Sequence, residues 1–171
     1  YDNFANTDDG SCIIFLGNND TSYFYISPTP LTWEESNSLS ISYDAHLATI
    51  TSQEENDFIT NLISEMELVH AFWLGGIDLN GNNDFQWVTG EEFNYTNWNG
   101  SEPQSGNPEI YLNIWGVNSN GLEILGKWND YDNYGYSAEP HTHALIEVTM
   151  PREFNLNDSI NTGVTFLGSF D

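Results

Sequence analysis

Basic side chains are nearly missing from this chain. Lys127 and Arg152 stand against 26 acidic residues, a formal net charge of −24 over 171 residues. A surface so charged repels nucleic acid and anionic membrane alike, so neither is a credible partner. It suits salty or calcium-rich water and says little about mechanism. Cysteine is almost absent too: Cys12 has no second thiol to pair with, which excludes an intrachain disulfide. No run approaches the ~18 apolar residues of a membrane span, so membrane insertion is not expected. The first residues carry neither the basic nor the apolar region of a secretory leader. The chain therefore reads as a mature protein or an excised module. Catalytic constellations are also missing. No Ser/His/Asp or Cys/His arrangement with supporting motifs is visible. A glycosidase needs one carboxyl of raised pKa, which acids set in polar, metal-binding loops do not supply. The reading is a binding protein and not an enzyme.

What is present is aromatic: six Trp, nine Tyr and ten Phe, enough to build a core from large side chains. The length fits one domain with appendages. Residues 1–12 read as a linker or the remnant of a preceding module, 13–149 as the domain, and 150–171 as a tail or linker to a next module. Short strands are expected at Ile13–Leu16 and Ser22–Ser27, with a turn between them. Thr32-Trp33-Glu34-Glu35 and Ser52-Gln53-Glu54-Glu55 are capping boxes. They open helices running to about Ile41 and about Met66, the second burying Phe58, Ile59, Leu62 and Ile63. Strands are expected at His46–Ile50, Phe72–Ile77, Ile110–Trp115, around Lys127-Trp128, and at Ala144–Thr149. Between 78 and 110 the chain is rich in Asn, Gly, Asp, Glu and Pro, and a long irregular segment inside a compact domain is usually functional.

The stretch from Trp98 to Asp130 organises the rest. Glu102-Pro103-Gln104, Glu109 and Asn129-Asp130 bring carboxylates and amides from three separated points. Ca²⁺ takes six to eight oxygens of this mixed kind from loops that can close around it. A cis bond before Pro103 swings the side chains on either side of it toward one point, and only X-Pro bonds adopt cis at modest cost.

The chain resembles the C-type lectin-like domain from about Tyr23 to Thr149. The landmarks are TWEES…AHLATITSQEEN, FWLGG, FQWVTGEEFNYTNW, EPQ, KWND and HALIEV, in that order. The resemblance implies an α+β fold, with two helices flanking a small antiparallel sheet and a long loop region for calcium. It implies that Glu102, Gln104, Glu109, Asn129 and Asp130 ligate one Ca²⁺. Two vicinal sugar hydroxyls would then be bound by the ion and by Glu102, Gln104, Glu109 and Asn129. Acid first and amide third resembles the mannose-type arrangement. Gln104 departs from the usual Asn, and the family's two disulfides are absent, with Tyr111 and Ile146 at half-cystine positions. Such a bridge is worth ~2–4 kcal/mol, so packing or Ca²⁺ must compensate. The disulfide-free character resembles a bacterial or viral member, and NTDDGSC resembles the end of a repeat from marine bacterial extracellular proteins.

Other features are weighed against plainer readings. Asp78 to Asp84 looks like an EF-hand loop but has Thr89 where a bidentate Glu is needed. In the resembling family this loop serves an auxiliary Ca²⁺, for which Asp78 and Asn82 are candidates; an Asn/Gly-rich turn is the simpler reading. Tyr131, Tyr134 and Tyr136 follow the Trp-Asn-Asp triplet, and Tyr131 and Tyr134 are candidates to stack on a sugar. His141 and His143 read as loop histidines and His46 as structural. Asn19, Asn94, Asn99 and Asn157 open Asn-x-Ser/Thr sequons, read as unmodified. The expectation is a calcium-dependent carbohydrate-binding module of the mannose/glucose/fucose type in a secreted or cell-surface adhesin. Its partners would be a surface glycan or polysaccharide and the neighbouring modules of a larger chain. The alternative is a protein-interaction or receptor-binding module on the same fold, with structural calcium or none.

Overall fold

In the computed structural model, residues 12–65, 71–103, 109–116, 124–135 and 141–150 are described. In chain order the elements are β1 (Ile14–Asn18), β2 (Ser22–Ile26), α1 (Trp33–Ser42), β3 (His46–Leu47) and α2 (Gln53–Glu65). There follow β4 (Ala71–Ile77), β5 (Gln86–Trp87), β6 (Tyr111–Trp115), β7 (Trp128–Tyr131) and β8 (His143–Thr149). The sheet runs β1-β2-β8-β4-β6-β7, with β3 on β8 and β5 on β4. The α+β class holds, with one departure from a purely antiparallel sheet. Strands β4 and β8 pair in parallel, Phe72 opposite His143 and Trp73 opposite Ala144. This pair joins the terminal strands to those that carry the long loop.

Both helix starts follow from their capping residues. Thr32 Oγ1 accepts from the Glu35 amide at 3.2 Å, and Glu35 returns a carboxylate to the Thr32 amide at 2.9 Å. Ser52 Oγ caps α2 by accepting from the Glu55 amide at 3.1 Å. There the return bond goes one residue further back than a capping box requires, from the Thr51 amide to Glu55 at 2.8 Å. The expected face of α2 is the buried one: Ile59 and Ile63 are fully covered, with Phe58 and Leu62 packed at their margin. The glycines ending the buried strand β4 allow close packing. A Cβ on Gly75 would lie 2.7 Å from the Leu47 carbonyl oxygen, and one on Gly76 would lie 2.6 Å from a Leu112 methyl.

Two apolar clusters fill the interior. One gathers Phe24, Ile59, Phe72, Leu112, Ile114, Trp87 and Trp128; the other gathers Trp33, Leu47, Trp73, Tyr131 and Ile146. The second occupies both half-cystine positions. The Tyr111 ring stacks on Trp33 at 4.6 Å and meets Trp73 edge-on at 6.5 Å. Ile146 is fully buried in the same cluster. Trp33 is itself fixed by a 2.8 Å bond from its indole nitrogen to the Leu74 carbonyl. Aromatic packing thus ties α1 to β4 and β6 without a covalent link.

Removing the Tyr111 ring should therefore be costly. Tyr111→Ala is expected to lower stability by ~2–4 kcal/mol in urea unfolding. Tyr111→Phe, which keeps the stack and loses only the hydroxyl's bond to Glu34, should cost about 1 kcal/mol or less. Equal losses in the two variants would refute the aromatic tie.

Candidate functional site

The site is built outward from Trp128. Its indole nitrogen donates to the Asn56 side chain on α2 at 2.8 Å, and Asn56 is itself buried. Trp87, Tyr95 and Trp98 meet the Trp128 ring edge-on at 5.5–5.9 Å. The long loop is bonded to the same residue: the Trp128 amide donates to the Asn97 carbonyl at 2.8 Å, and the Asn99 amide to the Trp128 carbonyl at 2.8 Å. From Asn99 the chain turns, the Glu102 amide donating back to the Asn99 carbonyl at 3.1 Å. It then enters a cis bond between Glu102 and Pro103. The Pro103 carbonyl accepts from the Asn83 side-chain amide at 3.3 Å. One set of backbone bonds therefore positions Glu102 relative to β7.

Strand β7 carries the other half. Asn129 pairs with Asn113 and Asp130 with Leu112 across β6. The buried Asn113 side chain donates to the Asn129 carbonyl at 3.0 Å, and the Asn129 side-chain nitrogen donates to the Asp130 carbonyl at 2.7 Å. With its NH₂ engaged in this way, Asn129 has its amide oxygen to offer a cation. Asp130 is fully buried, and neither of its carboxylate oxygens has a hydrogen-bond partner on another residue. Native structures rarely leave a buried carboxylate so. Burial pushes its carboxyl up to about 7; its own backbone amide works the other way, and the charges of Glu102, Glu109 and Asp78 raise it further. Glu109 is also raised, by burial first and then by Glu102 and Asp132.

These shifts place Glu102, Glu109 and Asp130 in one electrostatic neighbourhood. Mutually repelling carboxylates with a buried, unbonded member form a field that a divalent cation relieves. Hard oxygen donors match Ca²⁺, so the residues fit the ion. Among the described residues, however, no three acidic, His or Cys side chains are drawn together tightly enough to hold an ion by themselves. Gln104 lies outside the described residues, as does Tyr136.

The remaining candidates fall elsewhere. Asp78 is buried, and its carboxylate is taken up by the amides of Asn80, Gly81 and Asn83 at 3.1, 3.0 and 2.7 Å. Asn82 is exposed and accepts from the Asp84 amide at 3.3 Å. Both act as turn residues in this structure, the simpler of the two readings. Tyr131 requires a correction. It is buried against Trp73 and Trp115, at 6.4 and 5.8 Å, so its ring has no face to give a sugar. Every residue of β7 is buried, and the Tyr131 ring joins the Trp33–Trp73–Ile146 cluster. Tyr134 is half exposed on the following turn. His143 is buried with Nδ1 2.8 Å from the Ser27 carbonyl, while His141 is exposed, so the two rings do not share a site. His46 lies 4.0 Å from Glu147 in a structural setting beside β8.

Sequence reasoning missed Asn56, Asn83, Asn97 and Asn113, the amides that hold the site residues in place. In so Asn-rich a chain only their buried or bonded positions set them apart.

Comparison with known proteins bears on the family and the fold. Residues 29–136 match the family model of the lectin C-type domain. A perlucin-like protein of Mytilus galloprovincialis is 25% identical over 122 residues, covering 68% of this chain and 74% of that protein. The fold is shared with the carbohydrate-recognition domain of cow CD23, solved in the presence of a GlcNAc2Man3 oligosaccharide. That likeness has a TM-score of 0.62 and 22% identity, over 78% of this chain and 92% of that one. It is shared equally with a calcium-independent type II antifreeze protein, at a TM-score of 0.63 and 17% identity over 84% and 94% of the two chains. The named sequence relatives are animal proteins, which lends the bacterial or viral reading and the marine repeat no support. On its sequence match, with the fold in agreement, this chain belongs to the C-type lectin domain family.

Proposed function

We propose that this domain binds carbohydrate in a calcium-dependent manner, as part of an extracellular or cell-surface protein. The observation that carries the reading is Asp130, a fully buried carboxylate without a hydrogen-bond partner on another residue, beside the cis Glu102-Pro103 turn. A buried charge left this way is stable only if something compensates it. Glu102, Glu109, Asn129 and Asp130 would hold the ion, with Gln104 completing the set. The bound ion supplies positive charge to offset these acids and coordination positions for sugar hydroxyls. Carboxylate oxygens accept from sugar hydroxyls and amide nitrogens donate to them, which orients the ring. Tyr134, exposed on the turn after β7, is the aromatic candidate for the sugar's apolar face. Acid first and amide third favours a mannose, glucose or fucose type of ligand, and adhesion is the role that fits. No helix among the described residues is long and apolar enough to cross a membrane.

A second reading is a protein-recognition module on the same fold without calcium. It is favoured by the acids of the described residues not closing on a common point. Thermal melting separates the two. With Ca²⁺ at a hundredfold excess over its dissociation constant the domain should gain ~2.7 kcal/mol, a shift of several degrees over EDTA. Mg²⁺, which screens the bulk charge equally, should give much less. Equal shifts with the two ions would favour the protein-recognition module. Where Ca²⁺ alone stabilises, a glycan array read with and without EDTA identifies the sugar. Glu102→Gln should weaken Ca²⁺ binding by calorimetry, and an unchanged titration would move the site elsewhere.

Asp130 yields a prediction of opposite sign for the metal-free protein. Its folded carboxyl holds a proton to about pH 7, whereas an unfolded aspartate releases it near pH ~4. Between those values the unfolded state binds fewer protons, so the cation-free fold loses stability as pH rises. Asp130→Asn removes that loss. In EDTA the variant should melt above the wild type at pH 7.5, with the gap closing toward pH 4, and Ca²⁺ should no longer stabilise it. A variant that melts lower in EDTA at every pH would mean the carboxylate is compensated without a metal.

A further inference from the structure

Asn83, whose side chain holds the Pro103 carbonyl, also lines a neighbouring cavity of about 470 Å³. This lies within the ~300–1,000 Å³ of ordinary small-molecule sites. Its apolar side is aromatic: the partly exposed Phe93 and Trp98 line it over the buried Phe85, which lies 6.0 Å from Phe93 and 5.2 Å from Trp98. Trp98 leans on Trp128 at 5.9 Å, so this side is braced against the core. Gln86, Glu92 and Asn94 are exposed at the cavity and give it a polar side. There the Asn94 amide donates to the Glu92 carboxylate at 2.6 Å, so the two side chains are held together. Glu91, also lining the cavity, accepts from Thr49 and Thr89 at 2.7 and 2.9 Å.

The chemistry narrows the ligand. None of the lining residues is basic, and the whole chain carries −24, so an anion is repelled. An aromatic side serves no purpose for a bare metal ion. A pyranose ring uses both halves: its C–H face packs on the aromatics, and its hydroxyls donate to carboxylates and exchange bonds with amides. We propose that this cavity is a second subsite, for a neutral saccharide unit, and that through Asn83 it is continuous with the Glu102-to-Asp130 site. The proposal rests on the glycan reading above and adds that the domain recognises a chain of sugars, not a single one.

The test is titration of ¹⁵N-labelled protein with mannose and with a linear mannotetraose, in Ca²⁺ and in EDTA, followed at the Trp98 indole signal. In Ca²⁺ the tetraose should bind about tenfold more tightly than mannose, the scale of an added pair of hydrogen bonds from Gln86 and Asn94. It should shift the Trp98 signal where mannose does not. The double substitution Gln86→Ala with Asn94→Ala, both exposed and off the calcium site, should erase the tenfold gain and leave mannose affinity intact. A tetraose that perturbs Asn129 and Asp130 but leaves Trp98 unmoved would overturn the subsite while the glycan reading stands. Silence at both places with both sugars would overturn the two together. A tetragalacturonate that shifted Trp98 as strongly as the neutral chain would overturn the assignment to a neutral ligand.

Discussion

The bond between the Trp128 indole and the buried Asn56 side chain is the constraint on which the rest depends. It crosses from α2 to β7 and fixes a residue to which both the long loop and the sheet are bonded. Aromatic rings close around Trp128, and the loop backbone at Asn97 and Asn99 pairs with it directly. Asn129 and Asp130 are its chain neighbours, and Glu102 is three residues beyond Asn99, so both halves of the site are registered against a single side chain.

This scaffold carries a local arrangement that opposes folding. Asp130 is buried without a compensating bond from another residue, and Glu102, Glu109 and Asp78 add their charges to its own. Under the proposed function the arrangement trades stability for binding, a common compromise between function and fold. Here the surrounding structure is strong enough to tolerate it. The Trp33–Tyr111 stack and the buried Ile146 hold the core at positions where disulfides would otherwise be expected.

Much of this was legible in the residues. Capping boxes announced both helices, because Ser/Thr three residues before Glu satisfies open amides whatever surrounds it. The apolar spacing of α2 names its buried face, and the composition of residues 78–110 marks a segment that holds only the short β5 among its described residues. Glu102, Glu109, Asn129 and Asp130 are candidates from spacing and order; the charges of Glu102 and Glu109 reach Asp130, the chain neighbour of Asn129. Less legible were Asp78 and Tyr131. Asp78 is chemically as good a ligand as Asp130, and only its three backbone amide partners assign it to a turn. Tyr131 is one residue past the Trp-Asn-Asp triplet, and only its packing against Trp73 and Trp115 assigns it to the core.

The sequence by itself determined what depends on local chemistry: the helix starts, the run of acids and amides around Pro103 and Trp128, the proline able to adopt cis, and the net charge of −24. Tertiary structure alone decided which asparagines matter, which carboxylate is left without a partner, and that β4 and β8 run parallel. It also decided that an aromatic cavity adjoins the cis-proline turn. These are relations between residues far apart in the chain, and burial and hydrogen-bond partners are set by all the elements packing together. No window of sequence contains them.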